Sequence, residues 1–85
     1  MKTITVYRLY TEMKPSLPRL VKEFFTGATF FRGVGLWEDT IEKSCVIEIA
    51  TDNELEVLLL AGKIKRVNSQ QAVLVTKQAV EQQLI

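Results

Sequence analysis

The segment richest in chemistry is Gly33 to Ser44, GVGLWEDTIEKS. Two glycines two residues apart open a strand to close backbone approach. Trp37 offers a stacking plane, and Glu38 and Glu42 offer hydrogen-bond acceptors. Those types together can hold a small ligand. Arg8 and Tyr10 project the same way from a strand near the N-terminus, and Arg32 directly precedes Gly33. Two guanidiniums and a phenol suit a carboxylate or a phosphate, or else partner acidic neighbours on a solvated face. The candidate ligand-binding set is therefore Arg8, Tyr10, Arg32, Gly33, Gly35, Trp37 and Glu42. The glycine pair is half of a dinucleotide fingerprint. Its third glycine is missing and a hairpin follows where a helix is required, so a Rossmann site is excluded.

Other chemistry is thinner. The chain has no His, which removes the commonest general base and metal ligand. The single Cys45 allows neither an internal disulfide nor a Cys-cluster zinc site, and its mid-strand place suits a packed hydrophobe. No metal, cofactor or catalytic residue is assigned. Lys63, Lys65 and Arg66 complement a helix C-terminus. With eleven basic and ten acidic residues the net charge is +1, so nucleic acid is not an expected partner. Gln70, Gln71, Gln78, Gln82 and Gln83 suit either a base or peptide edge, or solvent.

The elements that position these groups follow from periodicity. The 85 residues are expected to form one domain, residues 1–85, with 47% apolar residues and six Gly and Pro. No apolar run spans a bilayer and no secretory leader is visible; a reducing, cytoplasmic setting is expected. Lys2 to Tyr10 alternates as a strand. Ser16 is placed as an N-cap and Pro18 in the first turn of a helix. Its stripe is Leu17, Leu20, Val21, Phe24 and Phe25, and Gly27 ends it in the left-handed conformation. Ala28 to Trp37, with a bulge or close approach at its glycines, and Ile41 to Ala50 form an antiparallel hairpin. Thr51 and Glu54 read as a capping box for a helix to about Val67, buried through Leu55, Leu58, Leu59 and Gly62. Ala72 to Thr76 is a fourth strand, and Lys77 to Ile85 a tail, strand or frayed helix. The order β-α-β-β-α-β is the α+β, ferredoxin-like plan: a four-stranded antiparallel sheet with two helices on one face, plus a short C-terminal tail.

Helices cover one sheet face only. The other is expected to carry Tyr7, Phe31, Val46, Val73 and Val75. An open apolar face of several hundred Å2 predicts a homo-oligomer formed through sheet faces, edge strands or the tail.

Phe25 to Glu48, with Gly33, Gly35, Trp37, Glu42 and Ser44, followed by Gln71-Ala72-Val73-Leu74, resembles a group of short bacterial and phage proteins. These share a G-x-G-x-W hairpin, a Glu-x-Ser step and a Gln-x-x-Val last strand. The resemblance implies a fold related in plan to oligomeric PII and CutA-like modules, and it implies no activity. The phage association implies an accessory, anti-defence role that sequesters a nucleotide signal or occludes a host protein. The short turn after Trp37 leaves no room for a longer ligand-covering loop.

Three functions are weighed. The first is a non-enzymatic oligomeric module that binds a small anionic or nucleotide ligand at inter-subunit clefts. The second is a protein-interaction inhibitor, with a host protein as partner, acting through a sheet edge or the tail. The third is a small-molecule enzyme working with carboxylates alone.

Overall fold

Alternating β-branched and aromatic residues extend the first strand further than its polarity pattern suggests. A computed structural model describes residues 2–85, with β1 at Lys2–Glu12, α1 at Leu17–Lys22, β2 at Thr29–Trp37, β3 at Thr40–Ala50, α2 at Glu54–Val67 and β4 at Leu74–Gln82. The sheet order is β2-β3-β1-β4, every neighbour antiparallel. This is the ferredoxin-like plan expected from the sequence.

Directly opposed residues share a face, so the registers sort the sheet. Tyr7 opposes Ile49, Leu9 opposes Ile47 and Val75, and Thr11 opposes Cys45. These point to the helices, where Leu9, Cys45 and Ile47 are fully buried. Leu17, Leu20 and Val21 of α1, with Val57, Leu60, Ala61 and Ile64 of α2, close the same core. Fully burying each Val, Leu or Ile among them contributes about 1.5–3 kcal/mol. The opposite face carries Ile4, Val6, Arg8 and Tyr10 of β1, Glu42, Ser44, Val46 and Glu48 of β3, and Phe31, Gly33, Gly35 and Trp37 of β2. No helix covers it. Phe31 and Val46 lie there as expected. Tyr7, Val73 and Val75 do not: Tyr7 lies in the core, and Val73 and Val75 pack against it.

Four local expectations are corrected. First, α1 is only six residues long, ending at Lys22, and Phe24 and Phe25 pack from the turn that follows. Gly27 does not adopt a positive φ, because Glu23 already caps that end from the α region. Ser16 makes no side-chain cap bond; its hydroxyl donates to Asn68 Oδ1 at 2.8 Å. Second, the register of β2 on β3 is unbroken from Thr29 to Trp37, with no bulge. Third, the N-cap of α2 is Asn53, whose Oδ1 accepts from Glu56 N at 3.2 Å. Thr51 Oγ1 instead accepts from Asn53 N. Fourth, α2 buries Val57, Leu60, Ala61 and Ile64 and leaves Leu55, Leu58 and Leu59 exposed. The two sets have the same i, i+3, i+4, i+7 spacing, offset by two residues, or about 200° of helix. The tail also resolves: residues 77–82 complete β4, which pairs β1 from Lys2↔Gln82 to Tyr10↔Leu74.

The β2–β3 hairpin projects. β1 last pairs β3 at Glu12↔Ser44, yet β2 and β3 stay paired as far as Trp37↔Thr40. This arm has no helix beneath it. Val34, Leu36 and Ile41, on its helix-facing side, are 77%, 73% and 73% exposed.

Candidate functional site

The open face gathers most of the candidate residues where β1 ends and the arm begins. Trp37, Gly35 and Gly33 come from β2, Glu42 and Ser44 from β3, and Tyr10 and Arg8 from β1. Period-two alternation puts them on one side, since each strand contributes every second residue. Gly33 and Gly35 flank Ser44: a Cβ on either would stand 3.5 or 3.4 Å from Ser44 side-chain atoms. That is ordinary contact rather than a clash. The glycines therefore leave a bare strip of backbone at the foot of Trp37, not a conformational necessity.

Trp37 is about half exposed, and its Nε1 donates to Gln71 Oε1 at 3.2 Å. Gln71 precedes β4, so this bond ties the arm to the far edge of the sheet past the end of β1. Gln70 beside it is buried; its amide donates to Thr11 Oγ1, and its Oε1 accepts from Glu12 N at 3.3 Å. The amides of the C-terminal third are thus partly structural.

Glu12 is outside the ligand-binding set expected from the sequence, yet it stands against Glu42. Desolvation first, and the Glu12 carboxylate second, push the Glu42 carboxyl above the ordinary carboxylate range. Lys14 Nζ lies 3.3 Å from Glu12 and offsets part of that repulsion. The missed signal was strand length: with β1 ending at Tyr10, Glu12 has no place on the face.

The two arginines fare differently. Arg8 is on the open face, but its Nε donates to Glu48 Oε2 at 2.9 Å and its Nη1 to Gln78 Oε1 at 3.3 Å. Arg32 opposes Cys45 and lies on the helix-facing side of β2. The structure does not bring it together with Arg8, Tyr10 and Trp37 in one chain. A strand's period of two sends Arg32 one way and Gly33 the other. Burial raises the Cys45 thiol, and the nearby Arg32 lowers it by less. That fits a packed, unreactive thiol.

A second polar group had no sequence signal. Tyr7 Oη donates to Glu54 Oε1 at 3.1 Å, and Lys77 Nζ donates to the same oxygen at 2.7 Å. The bond from Lys77, then that from Tyr7, hold Glu54 below the usual carboxylate range. Burial raises the Tyr7 phenol, and Glu54 adds to that. The three line a shallow recess of about 240 Å3 with Leu58, Val75 and Thr76. Their separation in sequence hides them, because only the β1–β4 pairing joins Tyr7 to Lys77.

Among the described residues no group of three or more metal-ligating side chains converges, and no helix is long and apolar enough to cross a membrane.

No protein-family model matches the chain, and no curated protein matches it. Solved structures do. CPII, a nitrogen regulatory PII-like protein from Thiomonas intermedia K12 bound to ADP, AMP and bicarbonate, is 18% identical with a TM-score of 0.66, over 98% of each chain. The ACT domain from the GTP pyrophosphokinase of Chlorobium tepidum is 20% identical, over 88% of this chain and 96% of that one, with a TM-score of 0.45. The likeness to CPII is one of fold.

Proposed function

We propose that this chain is a non-enzymatic ligand-binding module that assembles through the open face of its sheet and holds a nucleotide between subunits. One observation carries the proposal. An uncovered face presents Trp37, Tyr10 and Phe31, each more than a third exposed, around a glycine strip with acceptors at Glu42 and Ser44. Exposed aromatic groups beside a bare backbone strip suit the stacking of a planar base. A base also brings amino donors for the carboxyl pair of Glu12 and Glu42. That a PII-like protein of the same fold holds ADP and AMP supports the choice of ligand.

One chain does not complete the site. Arg8 is engaged by Glu48, so its positive charge is largely spent, and Arg32 faces the other way. The arm supplies the remedy. Its helix-facing side carries Val34, Leu36 and Ile41 together with Arg32. Laid against the open face of a neighbour, it buries those apolar groups and brings Arg32 to the neighbour's Trp37. The cation for the phosphates then comes from the second copy. Such a contact is heterologous and forms a ring if its rotation closes.

Trp37 is the only tryptophan, so its fluorescence reports the site directly. Titration with ADP and with AMP should quench or shift it, and Trp37→Ala should lose binding with oligomer mass retained. Arg32→Ala should weaken ADP more than adenosine. Unchanged fluorescence with both nucleotides, or full affinity in Arg32→Ala, would overturn the proposal. An anti-defence role, suggested by the resemblance to phage proteins, uses this same site: sequestration needs binding without turnover. The interaction-inhibitor alternative loses its tail, since residues 77–82 are sheet, and keeps only the edges of β2 and β4.

A further inference from the structure

Two opposite faces of α2 are apolar, and the core covers only one. Leu55, Leu58 and Leu59 stand on the other, 67%, 50% and 50% exposed, and Gly62 continues the stripe beneath the Arg66 side chain. Attraction to the helix dipole accounts for acidic residues at its start and basic ones at its end. It gives no reason for three bare leucines.

The flanking charges say what covers them. At 100° per residue, Glu54 and Lys65 lie along one border of the stripe, and Glu56 and Lys63 along the other. Each border runs from acid to base. A second α2 laid antiparallel on the stripe sets Glu54 beside Lys65 of the second copy and Glu56 beside its Lys63. Both pairs are symmetric about the same point, between residues 59 and 60. At that centre Leu59 meets Leu59; the space over Gly62 is already taken by Arg66, whose Nη1 stands 3.5 Å from where a Gly62 Cβ would be. A parallel copy would oppose acid to acid and base to base. Glu54 is already paired with Lys77, and Lys63 with Glu23. The new pairs therefore extend existing networks, and networks hold charges better than isolated surface pairs.

We propose that the Leu55–Leu58–Leu59 stripe of α2 is a two-fold, antiparallel interface with a second copy of this chain. The three leucines expose roughly 300 Å2 per copy, below the ~800 Å2 per partner of a standard interface. The contact is thus reversible and populated on the order of 100 µM. It lies opposite the open sheet face and does not depend on the ligand site.

The test is oxidative cross-linking of the full chain. Cys45 is buried and does not compete. Leu59→Cys should form a covalent dimer at least tenfold faster than Leu55→Cys or the exposed control Gln83→Cys, because only position 59 lies at the two-fold axis. Adding Leu58→Lys, at a half-exposed position that tolerates a charge, should remove the acceleration. Equal rates at 59 and 83, a faster rate at 55, or acceleration that survives Leu58→Lys would overturn the interface. The nucleotide response of Trp37 should be the same throughout, so failure here and failure of the ligand site are separately visible.

Discussion

The turn at the tip of the arm stores strain that can be measured. Glu38 and Asp39 are the two residues between Trp37 and Thr40, and both have positive φ, 46° and 66°. That is the primed geometry that suits a two-residue hairpin, and it favours Asn-Gly. An L-residue in the left-handed region costs about 1–2 kcal/mol, and Asp tolerates it better than Glu. Replacing the pair by Asn-Gly therefore removes about 2 kcal/mol of strain. The greater freedom of glycine in the unfolded chain offsets about 0.5–1 kcal/mol. A net gain of about 1–1.5 kcal/mol is expected. For a domain of this size each kcal/mol raises Tm by roughly 4–8 °C. Urea denaturation of Glu38→Asn/Asp39→Gly should show a higher midpoint with an unchanged slope, because the surface exposed on unfolding is the same. A midpoint at or below that of the parent would refute the strain argument. It would mean that Glu38 or Asp39 makes a contact worth as much as the left-handed backbone costs.

Two carboxylates should respond to acid in opposite senses. Glu54 has a lowered folded pKa, so its stabilisation is present above the unfolded value and is lost as pH falls through the folded one. Glu54→Gln should therefore flatten the acid limb of stability measured by urea midpoints across pH. Glu42 has a raised folded pKa, so the stability linked to it is present below the unfolded value and is lost as pH rises through the folded one. Glu42→Gln should then raise the midpoint at neutral pH, where desolvation first and Glu12 second disfavour the charge, and not at low pH. Deleting residues 77–85 removes six of the nine register pairs between β1 and β4 and uncovers the buried Tyr7, which loses its partner Lys77; circular dichroism should show loss of the fold. Deleting only 83–85, which lie beyond the strand and are exposed, should leave Tm unchanged.

The architecture was legible because each strand and helix carries its own period, and the short turn after Trp37 forces a hairpin. The faces were less so. On α2 the pattern Val57, Leu60, Ala61, Ile64 and the pattern Leu55, Leu58, Leu59, Gly62 fit a helix equally well. Only tertiary packing chooses between them. On β1 Tyr7 shares a face with Leu9 and Thr11, and alternation alone does not say which face the helices take. Six of the seven candidate site residues share the open face, because they alternate correctly along three strands. Arg32 fails by one residue of strand period. Glu12 was missed because the first strand is longer than its polarity suggests. The Tyr7–Glu54–Lys77 group was missed because it joins three elements that no local pattern connects.

The two proposed contacts have different symmetry, and this makes them separable. The arm-to-sheet contact is heterologous and builds a ring; the α2 contact is isologous and joins copies in pairs. They use different surfaces, the open face and the arm for one and the outer stripe of α2 for the other, so neither shares a residue with the other. Sedimentation of the full chain over a range of concentration should thus show a ring that doubles in mass as protein is added. Leu58→Lys should leave the ring and abolish the doubling. Leu36→Lys, at a side chain that is 73% exposed in the single chain, should break the ring without lowering the folded signal, and leave a dimer at high concentration. The double variant should be a monomer at every concentration. A ring that persists in Leu36→Lys would refute the arm contact, and with it the route by which Arg32 reaches Trp37 of the neighbour. The α2 contact would be untouched by that result, because its leucines and its charges belong to α2 and none to the arm.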